Sequence, residues 1–265
     1  MIECVLNVSE GRDPVVLDRL ADAAGADLLD LHHDPNHHRA VLTVVGEGAA
    51  RAVATAAVAA IDLRAHVGAH PRFGVVDVVP FVALGVTPFE ASLAARDRFA
   101  RWAAGTLGLP CFAYGPQRSL PDVRRAAFRG LAPDTGPDVP HPTAGACAVG
   151  ARPVLVAYNL WLGLADLDLA RSVARSLRGP AVRALGLDVG GHAQVSTNLI
   201  DPHSVGPAAI YDAVAARARV ARAELVGLMP ASVLGAVKAS RWAQLDLDEE
   251  RTIEARLEAR GHRRP

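Results

Sequence analysis

The sequence predicts an α+β sandwich, helices lying on one face of a mixed sheet, built in two successive rounds. Three observations carry that prediction. Apolar runs of strand length alternate with amphipathic stretches of helical length along the 265 residues. The order strand, helix, strand, strand, helix, strand occurs once before residue 114 and again after residue 153. Between the rounds, residues 115–142 are irregular and rich in Pro and Arg, which reads as a linker. The expected division is a first subdomain over 1–142, its linker at about 115–142, and a second over 143–265.

Each element has a local reason. Ile2 to Val8 is an apolar run that reads as a buried strand, and Ser9-Glu10-Gly11-Arg12-Asp13-Pro14 then turns into a helix. Asp13 is placed as its N-cap and Pro14 at its first position, where a missing N–H costs nothing. That helix extends to about Ala24, Leu28 to Leu31 is a second strand, and Ala40 to Val45 a third. Gly48 to Leu63 is an Ala/Val-rich helix and Val75 to Phe81 a strand. Thr87-Pro88-Phe89-Glu90 has capping-box spacing and opens a helix to about Leu107. Pro110 to Tyr114 is the next strand, and one helix is expected near Asp122 to Gly130 within the linker.

The second round reads as a strand over Val154 to Trp161, a helix from about Ala165 to Leu177, and strands near Val182 to Leu187 and Ala193 to Leu199. A helix over Pro207 to Ala223 and a strand over Leu225 to Leu228 complete it. The charged tail from Asp246 is expected to be a solvated helix and a frayed end. A repeated βαββαβ order is that of ferredoxin-like units.

Composition excludes several function classes. The 28 basic and 28 acidic side chains cancel, so no general attraction to nucleic acid or an anionic membrane follows, and an anionic ligand must be met by a local cluster. Almost all the basic residues are Arg; Lys238 is the single Lys. The longest nearly apolar helical run, residues 52–61, is too short to span a bilayer, and no secretory leader is recognisable. A cytoplasmic protein is expected. Cys4, Cys111 and Cys147 are widely spaced without a CxxC pair, which argues against a disulfide framework or a thiolate zinc site. Each reads as a small buried hydrophobe.

Chemistry concentrates in the stretch Ala65 to Phe81. Pro71 pushes His70 toward extended geometry, so His66 and His70 do not share a helix face but lie in a loop delivered to a strand. Such a loop holds a proton-transfer group at the lip of a sheet; a solvated or structural histidine is the plainer alternative. A second tract, His32-His33-Asp34-Pro35-Asn36-His37-His38-Arg39, holds four His and an Asp in eight residues. Imidazole and carboxylate suit several divalent ions, but the spacing fits no HExxH helix and Pro35 forces a turn. A ligand site ending in Arg39, a bidentate donor for carboxylates, fits the tract better, with solvated histidines as the other reading. Thr143 to Arg152 is rich in small residues and lets a ligand approach the backbone, yet matches no Walker or dinucleotide fingerprint, and composition alone favours a plain interdomain connector. Gln194, Ser196 and Asn198 share one face of a strand, either as pocket groups or as a solvated surface.

Several separate stretches, in order, resemble the formiminotransferase domain family: Glu3-Cys4-Val5 with Asn7 to Gly11, Arg39 to Gly46, His66 to Phe81, Gly145 to Asn159, Ala193 to Asp201 and Glu224 to Pro230. Together they cover roughly residues 2 to 240. The resemblance implies two similar subdomains with a ligand cleft between them, tetrahydrofolate as co-substrate, no metal, and a homodimer. It implies a transferase moving a formimino group from N-formimino-L-glutamate to N5 of tetrahydrofolate, as in histidine degradation. The family's catalytic His falls on His70, as general acid/base. Its folate-binding stretch falls on Thr143, Ala144, Gly145, Ala146, Cys147, Ala148, Val149, Gly150, Ala151 and Arg152.

By charge and position Arg39 and Arg72 are expected to take substrate carboxylates, and His32 and His38 to orient the donor. Where the vertebrate pattern has Asp and Asn, this chain has His32 and His38. The rival expectations are a transferase with a different amine donor, a metal-dependent formiminoglutamate hydrolase using His32, Asp34 and His38, and a folate-binding protein without catalysis. In every case the partners are small molecules.

Overall fold

β1 (Ile2–Val8) takes the centre of a sheet because it is apolar where it must be: Cys4, Leu6 and Val8 are wholly buried on one face, while Glu3, Val5 and Asn7 alternate onto the other. The computed structural model describes residues 1–68, 72–263 and 265, which fall into two compact units, Met1–Pro153 with Pro265, and Val154–Arg264. The first unit continues with α1 (Pro14–Ala24), β2 (Leu28–Asp34), β3 (Arg39–Val45), α2 (Gly46–Ala60) and β4 (Val76–Ala83). Asp13 caps α1 as expected, accepting from the N–H groups of Val15 and Val16. α3 (Phe89–Leu107), β5 (Cys111–Tyr114), α4 (Leu120–Ala126) and β6 (Cys147–Ala151) follow.

The six strands run β2-β3-β1-β4-β6-β5, with β6 parallel to both β4 and β5. α1, α2 and α3 supply Leu20, Val53 and Phe99 to a core closed by Leu6, Leu42 and Phe81 from the sheet. α4 belongs to the opposite face, where Val123 packs with Val78, Phe112 and Tyr114. Cys4, Cys111 and Cys147 are buried free thiols, as the sequence suggested.

The second unit is β7 (Val156–Leu162), α5 (Leu167–Leu177), β8 (Val182–Val189), β9 (His192–Leu199), α6 (Pro207–Ala215) and β10 (Val220–Val226), in strand order β10-β7-β9-β8. The first four strands of the first unit lie in the equivalent order, β4-β1-β3-β2, so both units carry the expected βαββαβ architecture. Short helices α7 (Ala231–Gly235), α8 (Trp242–Leu245) and α9 (Ile253–Ala259) complete the chain. Among the described residues no helix is long and apolar enough to cross a membrane.

Several expectations are corrected. The boundary lies at Pro153/Val154 and not at 142/143, because residues 147–151 are a strand inserted between β4 and β5. The second strand runs on through His32 and His33 to Asp34, since polar side chains do not prevent the pairing of His33 with Ala40 and Asp34 with Arg39. Thr87 forms no capping box; its hydroxyl accepts from the Met1 amino group, and Pro88 caps α3 without a side-chain bond. A capping box forms instead at Ser119 and Asp122, inside the stretch read as a linker. α6 stops at Ala215 because Val220 already pairs with Leu162 of β7. The tail is not simply solvated: Ile253 and Leu257 are buried, and the Met229 N–H donates to the Arg251 carbonyl.

Candidate active site

The turn leaving β1 fixes a carboxylate. Glu10 Oε1 accepts from the backbone N–H groups of Gly11, Arg12 and Asp13 at 2.8, 2.7 and 3.0 Å. Burial pushes this carboxyl up, but the three N–H groups and the neighbouring His38 outweigh it, and the net shift is downward. His38 Nε2 stands 3.1 Å from the same oxygen, and its Nδ1 stands 2.9 Å from the Val67 carbonyl. His38 is one of few non-glycine residues in the left-handed region, with φ 51°.

His66 lies against it, the rings stacked 3.9 Å apart at 15°. His66 Nε2 donates to the His38 carbonyl at 3.0 Å, which leaves a lone pair on Nδ1. That nitrogen is buried and has no hydrogen-bond partner among the described residues. Burial, then the charges of Arg72 and His38, lower this imidazole to about 4, so it is uncharged at neutral pH.

A second cluster centres on Asp77, whose position depends on a β-bulge. β1 and β4 pair Asn7 with Val78 but Val8 with Val76, so Asp77 is the extra residue. The bulge breaks the alternation that would have sent a carboxylate toward the core, and turns it to Arg39. Arg39 Nη1 donates to Asp77 Oδ2 at 2.7 Å, Arg124 Nη2 donates to the same oxygen, and the Phe73 N–H donates to Oδ1 at 2.9 Å. Burial raises the Asp77 carboxyl, yet the two guanidinium groups and the Phe73 N–H prevail and hold it below the ordinary carboxylate range. Asn7 Oδ1 accepts from Arg39 Nε and Nη2 at 3.1 and 2.8 Å, and Arg124 lies 5.8 Å over the Phe73 ring.

These clusters hold the described residues on either side of positions 69–71. His66, Val67 and Gly68 are held from the His38 side, and Phe73 from the Asp77 side. His70 itself lies outside the described residues. Arg72 donates to the carbonyls of Gly68 and His66 at 3.1 and 3.4 Å. His32 is half-buried opposite Val41, on the sheet face that carries Asn7 and Arg39.

In the His-rich tract, Asp34 Oδ1 accepts from the N–H groups of Asn36 and His37, both at 2.7 Å, and so builds the hairpin turn. Among the described residues no group of three or more His, Cys, Asp or Glu side chains converges as a metal site. Thr143–Arg152 contains β6, a buried inner strand; Gly150 packs directly beneath the Tyr114 ring, so the space a side chain would take is filled by the protein itself. On β9, Gln194 is buried, Ser196 half-buried and Asn198 exposed.

Sequence reasoning gave no role to Glu10, Asn7, Asp77 or Arg124. A lone carboxylate within Val75-Val76-Asp77-Val78-Val79 was a usable signal, because a buried charge demands a partner. Nothing local pointed to Arg124.

Residues 1–152 match the family model described as the formiminotransferase domain, N-terminal subdomain. The chain is 34% identical to glutamate formimidoyltransferase of Thermoplasma acidophilum over 297 residues, covering 97% of each chain. It is 33% identical to glutamate formimidoyltransferase of Streptococcus pyogenes over 270 residues, 88% of this chain and 90% of that one. Formimidoyltransferase-cyclodeaminase of Sus scrofa is 34% identical over 277 residues, which cover 88% of this chain but 51% of that protein.

Proposed function

The chain belongs to the formiminotransferase domain family, and from this we infer that it moves the formimino group of N-formimino-L-glutamate to N5 of tetrahydrofolate. The observation that carries the reading is similarity to a glutamate formimidoyltransferase along 97% of both chains.

The chemistry sets the requirements. N5 attacks the formimino carbon, a tetrahedral carbon forms, and the bond to the glutamate nitrogen breaks. N5 loses a proton and the departing nitrogen gains one. A side chain with a pKa near neutrality serves both transfers, and general acid/base catalysis of this kind is worth roughly 10²- to 10⁴-fold. His70 is proposed for that role on the family resemblance, and described residues on either side of it in sequence are tied to fixed groups, Val67 to His38 and Phe73 to Asp77. Holding two reactants in register contributes much of the remaining acceleration.

Arg39 and Arg72 are proposed to meet substrate carboxylates; Asn7 and Asp77 fix the plane of the Arg39 guanidinium. His32, on the same sheet face, is proposed to orient the donor. Thr143–Arg152 is proposed for folate. It runs beside β4 from the Phe73–Val75 segment, which it meets through the Val75 N–H to Ala144 carbonyl and Ala146 N–H to Phe73 carbonyl bonds, as far as Arg152. A cytoplasmic homodimer completes the proposal, with light scattering expected to give twice the mass of one chain.

The test mixes the protein with formiminoglutamate, with and without tetrahydrofolate, and follows glutamate release beside the absorbance of the formimino-folate product. Release that depends on folate is expected. Release without folate overturns the transferase in favour of a hydrolase, and turnover only with another amine donor overturns the donor assignment.

A further inference from the structure

We propose that His38 is a positioning residue that ties the loop residues His66–Gly68 to the start of α1, with Glu10 as the fixed end of the tie. The proposal rests on the reading of His70, two positions further along the sequence, as the acid/base.

His38 meets the loop three times. Its Nδ1 faces the Val67 carbonyl at 2.9 Å, its own carbonyl receives His66 Nε2 at 3.0 Å, and its ring stacks on His66 at 3.9 Å. On the other side, Nε2 faces Glu10 Oε1 at 3.1 Å, an oxygen already held by three backbone N–H groups. Both neighbours of the ring are acceptors, so a ring N–H on either nitrogen donates within the protein, to the Val67 carbonyl or to Glu10 Oε1. A donor molecule recruiting this ring would have to displace one of those neighbours. The ring is therefore engaged by the protein's own groups, the Val67 carbonyl and the Glu10 carboxylate.

Two further observations agree. A left-handed non-glycine residue costs energy and persists where its surroundings over-determine it, which is common at functional sites; at φ 51° His38 turns its carbonyl and its ring to the same loop. The loop also lies as close as backbone allows, since a Cβ on Gly68 would fall 2.4 Å from the His37 carbonyl oxygen and 2.7 Å from His38 Cβ.

The experiment compares wild type with His38→Ala, His38→Gln, Glu10→Gln and the double variant His38→Ala/Glu10→Gln. Two readouts are taken: deuterium uptake of the backbone amides in residues 64–75, and kcat and KM for both substrates. In His38→Ala, uptake rises in that segment and kcat falls about tenfold or more, because misplacing a reacting group by an ångström is costly, while each KM stays within about twofold. His38→Gln, which still offers one donor, recovers part of both effects. Glu10→Gln moves both in the same direction, and the double variant is no worse than His38→Ala, as expected of groups acting as one unit.

Unchanged uptake in His38→Ala overturns the tie. Raised uptake with unchanged kcat overturns its catalytic purpose, and an effect confined to the donor KM makes His38 a substrate ligand instead. Where His38→Ala does not fold, His38→Gln and Glu10→Gln carry the same readouts. A wild type that transfers no formimino group defeats the functional reading, and the uptake comparison still decides the tie.

Discussion

Asp77 and Arg39 form an ion pair at 2.7 Å with the carboxylate side chain entirely shielded from solvent. Removing one member of such a pair strands the other. Asp77→Ala, which leaves both Arg39 and Arg124 without their shared carboxylate, is expected to cost about 3–5 kcal/mol, and hence to lower the melting temperature by roughly 10 °C. Thermal unfolding followed by circular dichroism checks it, and a shift of a degree or two would show that the pair contributes little.

His66 gives a pH dependence with a definite sign. Its folded-state value of about 4 lies below the value of about 6.5 expected in the unfolded chain, so the unfolded state takes up the proton first. This contribution to stability is fully present above about pH 6.5 and is lost as pH falls toward 4. For a half-buried ring the loss is discounted to about 1 kcal/mol. Denaturant midpoints between pH 7 and 4 should fall more steeply in wild type than in His66→Asn; identical slopes would remove His66 as the cause.

Gly74→Ala is expected to destabilise the first unit by about 3 kcal/mol, at the upper end for overpacking. A Cβ at that position would stand 1.7 Å from the Ala146 carbonyl oxygen, so the backbone itself must shift. Since Ser9 Oγ donates to the Gly74 carbonyl at 2.8 Å, the shift reaches the turn that carries Glu10. Urea unfolding measures the loss, and an unchanged midpoint would mean that the two chain segments separate freely.

His70→Ala is expected to lower kcat by roughly 10²- to 10⁴-fold while tetrahydrofolate binding stays within about twofold. Turnover and equilibrium titration of folate on the same preparation test both halves. Near wild-type turnover would move the acid/base role elsewhere, and lost folate binding would make the residue a ligand for the co-substrate.

The fold was legible where the signal was local. Asp13 and Pro14 announced α1, and the alternation of β1 announced which face carries Cys4, Leu6 and Val8. It was misread where a distant partner decides the outcome. Thr87 has the spacing of a cap but is taken by the chain's own amino terminus, while Ser119 and Asp122 form the box in a segment whose Pro and Arg content suggested a linker. The site divides the same way. His66 and His38 drew notice as residue types, whereas the importance of Asp77 depends on a bulge that reverses its parity, and on Arg39 and Arg124, 38 and 47 positions away. Pattern reading assumes unbroken alternation, and the bulge is where that assumption fails.

The late arrival of β6 has a consequence for synthesis. β4 and β5 are already outside the ribosome, with a strand-wide gap between them, when residues 147–151 are still being made. The first unit therefore cannot close its sheet co-translationally until about 30 further residues have been added and residues 147–151 have cleared the exit tunnel, a delay of seconds at ordinary elongation rates. During that interval two unpaired strand edges face each other and invite foreign strands. A fragment cut at the end of the irregular segment would hold that gap open permanently. One cut after Pro153 would release a sheet with every strand in place.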